Sequence, residues 1–192
     1  MLTLASASPR RLALLRDLGL DPVPCPADVD EGVRPGETPE THVLRLAREK
    51  ARKVADGLAG GVVLGADTVV VLDGAILGKP DGPDGAATML RLLAGRTHEV
   101  VTGVCVRNLD RTPPGDAEAA VRTRVRFRAY GEETVRWYVE SGEPLDKAGA
   151  YGIQGRGVLL AEGIEGSWSN VVGLPLETLP DLFRAAGLNW FP

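Results

Sequence analysis

Four groups of residues in this 192-residue chain carry side chains whose types and spacing could do chemistry. The first is Ser6-Ala7-Ser8-Pro9-Arg10-Arg11. Serine followed by proline is a helix start, with the serine at the N-cap and the proline at the first helical position. Two arginines then crowd the positive end of a helix dipole, which favours anions there by about 0.3 to 1 kcal/mol per charge. A bound phosphate would reverse that penalty. Backbone N–H groups, the hydroxyls of Ser6 and Ser8, and the guanidinium forks of Arg10 and Arg11 would converge on one anion. The pattern also fits an ordinary cap with solvated arginines. The second group is Gly65-Ala66-Asp67-Thr68, inside the apolar run from Val62 to Leu72. An unpaired carboxylate there would be costly, so Asp67 must be ion-paired, hydrogen-bonded, metal-bound or at a strand irregularity of the kind Gly65 permits. It could hold a divalent metal, accept a proton from an attacking water, or simply bond a nearby backbone turn.

Lys50 and Lys79 form the third group. Lys50 follows Leu46 by one helical turn, so it borders a buried face from which its ammonium could reach inward, while Lys79 precedes Pro80 and is biased toward an extended backbone. Either also fits a surface lysine whose stem covers apolar neighbours. The fourth group runs from Glu143 to Gly155 and has three glycines in its last seven residues. Glycines allow close backbone approach to a ligand, and Gln154 offers both a donor and an acceptor for reading a base edge. A flexible loop is the other reading. Walker A, G-x-G-x-x-G and G-x-S-x-G patterns are absent, and His42 and His98 have no metal-ligand spacing.

The elements that must position these groups follow from periodicity. Leu2 to Ala5 reads as a short strand, followed by a helix from Ser8-Pro9 with Leu12, Leu15 and Leu18 on its apolar stripe and Gly19 at its end. Asp21 to Pro35 is expected to be extended with loops, carrying Asp28, Asp30 and Glu31. A second helix starts at Thr38-Pro39, buries Leu44, Ala47, Ala51 and Val54, and ends near Gly57. Val62 to Leu72 is the strongest strand and turns at Asp73-Gly74 into Ala75 to Leu77. Asp84 is expected to cap a helix that buries Ala87, Leu90 and Leu93. A strand from Glu99 to Val106, a loop from Asn108 to Ala119 and a strand alternating Val121, Thr123, Val125 and Phe127 against Arg122, Arg124, Arg126 and Arg128 come next. That arginine face reads as solvated rather than as a nucleic-acid surface, since aromatic interleaving is limited to Phe127. Helices from Glu132 to Ser141 and Leu176 to Ala186 complete the chain. Strands and helices mix without strict alternation, which favours an α/β fold with a mixed sheet.

Composition bounds the function. A hydrophobic fraction of 44% and a net charge of -4 describe a globular protein with no global attraction for nucleic acid. No window approaches the ~18 apolar residues that span a bilayer, and the first residues lack a signal peptide, so the expected location is the cytoplasm. Cys25 and Cys105 lack disulfide or zinc spacing and are expected to be reduced core residues.

Taken in order, Ser6 to Arg11, Leu46-Ala47-Arg48-Glu49-Lys50-Ala51, Gly65 to Thr68, Gly78-Lys79-Pro80, Asp146 to Gly155 and Val172-Gly173-Leu174-Pro175 resemble the Maf family, over about residues 2 to 187. The resemblance implies a single domain over residues 1–192, with two lobes flanking an active-site cleft. It also implies an elongated mixed sheet with flanking helices, akin to the inosine triphosphate pyrophosphatases, in a protein that forms homodimers. The activity implied is metal-dependent hydrolysis of a nucleoside triphosphate to the monophosphate and pyrophosphate, with Mg²⁺ or Mn²⁺ as cofactor. Asp67 is the implied catalytic proton acceptor, with metal ligation an equal account of its importance, and Glu31 is a candidate metal ligand beside it. Arg10, Lys50 and Lys79 match positions lining the triphosphate. Arg11, Thr68 and Gln154 match the selectivity positions of the branch acting on dTTP and UTP, whereas Arg124 departs from the carboxylate common in similar proteins. The alternatives are the branch acting on 7-methyl-GTP and a nucleotide-binding regulator of septum formation with little turnover.

Overall fold

Residues 1–113 and 115–189 are described by a computed structural model of the chain. The strands β1 (Leu2–Leu4), β2 (Val23–Pro24), β3 (Val62–Leu72), β4 (Ala75–Leu77), β5 (Thr97–Asn108), β6 (Gly115–Phe127) and β7 (Ala161–Glu165) form one mixed sheet in the order β2-β1-β3-β5-β6-β7, with β4 paired to β3. β1 lies parallel to both β2 and β3, whereas the β3–β4 and β6–β7 pairs are antiparallel. The expected α/β class with a mixed sheet is therefore observed. Its helices are α1 (Pro9–Asp17), α2 (Pro39–Ala55), α3 (Gly82–Leu93), α4 (Glu132–Glu140), α5 (Trp168–Val172) and α6 (Leu179–Ala185). No helix among the described residues is long and apolar enough to cross a membrane.

The chain divides into two compact units. The described residues of Met1–Asp67, Thr102–Val121 and Gly173–Pro192 form the first, and Thr68–Val101 with Arg122–Val172 the second. In the first unit, small side chains make the core: Ala5, Ala47, Ala51, Val54, Ala55, Val63 and Cys105 pack together. In the second, Leu90 and Leu93 are fully buried, and His98, Phe127 and Tyr151 meet edge to face with centroids 4.7 to 5.2 Å apart.

Several expected boundaries shift for physical reasons. On α1 the buried positions are Arg11, Leu14 and Leu15, while Leu18 is exposed, because a buried guanidinium replaces one leucine on the inner stripe. On α2 the inner face is rotated to Val43, Leu46, Ala47 and Lys50, with Leu44 only half-buried. Asp81, not Asp84, takes the N-cap position of α3, and Asp84 sits in its first turn, where a carboxylate complements the dipole. The expected loop from Asn108 to Ala119 is shorter than read: β5 runs to Asn108 and β6 already starts at Gly115, with bends at residues 109–113. Charged residues in that segment concealed the pattern, because Asp116 and Glu118 are held by arginines. Cys105 is buried as expected, but Cys25 is exposed beside the short edge strand β2.

Candidate active site

The site is built around the approach of α2 to the sheet. Thr38 and Thr41 form a reciprocal capping box at the helix start, with Glu40 in the first turn and Arg52 and Lys53 in the last complementing the dipole. Two glycines then admit the helix at close range. A Cβ on Gly65 of β3 would stand 2.2 Å from the Ala47 carbonyl oxygen and 3.0 Å from the Ala51 Cβ. One on Gly103 of β5 would stand 2.5 Å from the Val43 carbonyl group. Gly65 is thus no strand irregularity, since β3 runs unbroken from Val62 to Leu72; it is the seat of a helix. Side chains alternate along a strand, so Asp67 shares the face of Gly65. Lys50 follows Leu46 and Ala47 on the inner face of α2 and is carried to that carboxylate.

The Lys50 ammonium donates to Asp67 Oδ1 at 2.6 Å and to Glu31 Oε1 at 2.6 Å. Asp67 and Lys50 are buried, at 8% and 7% exposure, whereas the Glu31 side chain is half-exposed. Pairing resolves the cost of a carboxylate in an apolar strand, and removing one partner of such a buried pair costs about 3 to 5 kcal/mol. Two carboxylate oxygens converging on one cationic nitrogen are also an oxygen donor set of the kind that Mg²⁺ and Mn²⁺ take. The residues fit a divalent metal, and Asp67 and Glu31 are the pair that could hold it.

Beside this pair lies the helix-start site. Ser8 caps α1 by accepting from the Arg11 N–H at 3.4 Å, and Ser6 Oγ accepts from the Ser8 N–H at 3.1 Å. Arg11 turns inward: its Nε donates to the Gly173 carbonyl at 2.7 Å and its Nη1 to Ser6 Oγ at 3.1 Å. Burial lowers the pKa of the Arg11 guanidinium below its ordinary value; the charge of Asp67 opposes that shift, Arg10 adds to it and Glu31 opposes it. Ser6, Ser8, Arg10, Arg11, Glu31, Lys50 and Asp67 are therefore brought into one electrostatic neighbourhood in the first unit. The Gly173 carbonyl is a member that sequence reasoning did not assign. Its signal was present in the Val172 to Pro175 motif, whose glycine takes φ 125.

Thr68, Lys79 and Gln154 belong to the second unit. Thr68 is half-buried and points to the opposite strand face from Asp67; Lys79 and Gln154 are exposed. The glycine-rich segment that carries Gln154 is not a flexible loop. The Gly149 N–H donates to the Gly78 carbonyl at 3.0 Å, which joins this segment to the turn that bears Lys79. The Gly152 N–H donates to Tyr138 Oη at 3.1 Å, and Tyr151 Oη meets His98 Nε2 at 2.7 Å. Gly149 takes φ 65 against the Val70 side chain, where a Cβ would stand 2.8 Å away.

A second acidic group in the first unit could be mistaken for a metal site. Cys105, Asp116 and Glu118 have ligand atoms within 4.8 Å of one another. Glu118 accepts two bonds from Arg48 at 2.6 and 2.5 Å, and Asp116 accepts from Arg52 at 2.9 Å and Arg107 at 2.5 Å. Burial would raise the Asp116 pKa, but hydrogen bonds from Arg107 and Arg52 hold it below the ordinary value. Burial, aided by the two nearby carboxylates, pushes the Cys105 thiol far up, so it stays protonated and is a poor ligand. Three guanidinium groups already bond the two carboxylates in forked geometry, and a further cation would have to displace them.

The chain is 54% identical to the dTTP/UTP pyrophosphatase of Anaeromyxobacter dehalogenans, over 98% of this chain and 96% of the relative. It is 53% identical to that of Moorella thermoacetica over the same shares, and 50% identical to that of Myxococcus xanthus over 98% and 93%. The family model described as Maf-like protein matches residues 1–186, and with the buried Arg11, the Lys50–Asp67 pair and the pinned glycine segment falling on the motifs of that resemblance, the chain belongs to the Maf family.

Proposed function

We propose that this protein hydrolyses nucleoside triphosphates, dTTP and UTP foremost, to the nucleoside monophosphate and pyrophosphate with the help of a divalent metal. The observation that carries the reading is a pair of carboxylates sharing one cation, Asp67 and Glu31 on Lys50, next to the buried arginine and serine of a helix start. One half suits a divalent cation and the other a phosphate chain. The names of relatives above 50% identity support the chemistry and the choice of substrate.

In this reading Arg10, Lys50 and Lys79 neutralise the triphosphate, and Ser6, Ser8 and the backbone at the start of α1 orient it. Mg²⁺ or Mn²⁺ held by Asp67 and Glu31 would stabilise charge on the phosphate oxygens. Asp67 accepts the proton of the water whose oxygen attacks the α-phosphorus; the bond to the α,β-bridging oxygen breaks, and its electron pair leaves with pyrophosphate. Arg11, Thr68 and Gln154 choose the base, Gln154 because its amide offers a donor and an acceptor on a segment held by three hydrogen bonds.

Pyrophosphate release from dTTP, UTP, CTP, GTP, 7-methyl-GTP and ITP with metal present tests the reading. Highest kcat/KM is expected on dTTP and UTP. No turnover of any member would overturn the enzyme, and preference for 7-methyl-GTP would overturn the pyrimidine assignment. The homodimer implied by the resemblance is tested by light scattering of the purified protein.

A further inference from the structure

We infer that Lys50 is the resident counter-cation of the Asp67–Glu31 pair, which it must hand over to a divalent metal, so that metal entry is coupled to arrival of the triphosphate. The inference rests on the reading of Asp67 and Glu31 as metal ligands and adds to it the role of the lysine. Lys50 spends two of the three donors of its ammonium on the two carboxylates, at 2.6 Å each. A metal that takes the same two oxygens therefore competes with an ammonium already seated, rather than entering a bare acidic site. The charges decide which cation wins. Arg10, Arg11 and Lys50 supply three positive charges near two negative ones, so a divalent ion raises an already positive neighbourhood. A triphosphate reverses that balance and gives the lysine other oxygens to bond.

The side chain is suited to the exchange. Its ammonium is a point charge on a four-carbon stem, unlike the planar fork of arginine, so it can swing from carboxylate to phosphate without losing a matched bidentate geometry. The stem leaves α2 at a helix turn fixed by Gly65 against Ala47 and Ala51, which confines the swing to the ammonium end. By linkage, the nucleotide then raises metal affinity by the factor by which metal raises nucleotide affinity.

Mn²⁺ binding to the nucleotide-free protein, followed by the electron spin resonance of free Mn²⁺, separates the alternatives. Lys50→Met and Lys50→Gln are expected to bind Mn²⁺ roughly tenfold or more tightly than the parent, although both lose turnover, and adding Asp67→Asn is expected to abolish the gain. Equal affinity in parent and variants would overturn the role of Lys50 while leaving the metal ligands in place. Failure of all three to bind Mn²⁺ would overturn the ligand assignment itself. Should the variants misfold, ¹H–¹⁵N spectra of lysine ammonium groups in the unaltered protein decide the question. The hydrogen-bonded Lys50 signal is expected to persist with Mg²⁺ alone and to shift or vanish when Mg²⁺ and α,β-imido-UTP are added together. Persistence under both conditions, or loss with Mg²⁺ alone, would overturn the coupling.

Discussion

Helix α2 presents basic residues to two pairs of carboxylates, and the two pairs are neutralised differently. Lys50 bridges Asp67 and Glu31, whereas Arg48 and Arg52, joined by Arg107, face Glu118 and Asp116. Two residues along the helix thus separate a pair joined by an ammonium from a pair held by guanidinium groups. The kind of cation differs as well. Arginine forks lock carboxylate oxygens in a fixed plane, while an ammonium holds them as a point charge that can leave. Acidic residues close together are therefore not enough to define a metal site; whether the cation already bonded to them can leave decides whether a metal can take its place.

The largest expected effect tests this contrast directly. Asp67→Asn should lower kcat for pyrophosphate release by about 10² to 10⁴. Asp116→Asn should change it by no more than about threefold, because its partners Arg52 and Arg107 serve the fold. Equal losses in the two variants would erase the distinction. Gly65→Ala attacks the geometry that creates the site, since its methyl would stand 2.2 Å from the Ala47 carbonyl oxygen. Overpacking of this kind costs about 1 to 3 kcal/mol, and a contact so short belongs at the upper end. Urea denaturation measures that cost, and a fall in kcat beyond it would report Lys50 displaced from Asp67.

Much of this site was legible in the sequence because its signals are local. Ser8-Pro9 predicts a cap and the cap is there; Asp67 in an apolar run predicts a partner, and the partner is Lys50. The strand from Val62 to Leu72 and its turn into Ala75 to Leu77 match the expected residues because continuous apolar content followed by Asp-Gly has few other solutions. What escaped is what depends on pairing across long separations. The strand at Gly115 carries acids that read as loop until Arg48, Arg52 and Arg107 are placed against them. For Arg11 the residues left an anion-binding and a solvated arginine both open, and its buried bond to the Gly173 carbonyl, 162 residues away, has no local signal. The tightness of the segment before Gln154 escaped for the same reason, since its anchors Gly78, His98 and Tyr138 lie on other elements.

A buried group with no charge partner sharpens the comparison in the second unit. His98 is 2% exposed, bonds Tyr151 through Nε2, and has no partner for Nδ1 among the described residues. Burial lowers its pKa from 6.5 to about 4. The folded state therefore resists a proton that the unfolded chain takes up, so this contribution is present above pH 6.5 and is lost as the pH falls toward 4. The loss approaches about 3 kcal/mol at its fullest. Asp116 has the same sign in a more acidic window: its lowered pKa stabilises the fold above its unfolded value of 3.8, and that is lost only in stronger acid. Urea midpoints for the parent and His98→Gln, measured from pH 7 to pH 4.5, should converge as the pH falls. A constant gap would mean that His98 acts through packing alone.

The smallest effect is expected at the arginine-bound pair. Arg48 and Glu118 make a bidentate bridge, yet the Arg48 side chain is 39% exposed, so solvent screens the pair and leaves it about 1 kcal/mol. Glu118→Gln should lower stability by about that amount, leave kcat and KM for the nucleotide within about twofold, and leave Mn²⁺ affinity unchanged. A double-mutant cycle with Arg48→Met isolates the pair, since both changes lie on the same contact. A fall in Mn²⁺ affinity would assign the metal to the Cys105, Asp116 and Glu118 group instead of Asp67 and Glu31. A fall in kcat alone would mean that the bridge sets the position of α2 and, through it, of Lys50. Unchanged binding and turnover would separate the two acidic groups by function as an ammonium and guanidinium forks separate them by kind of cation.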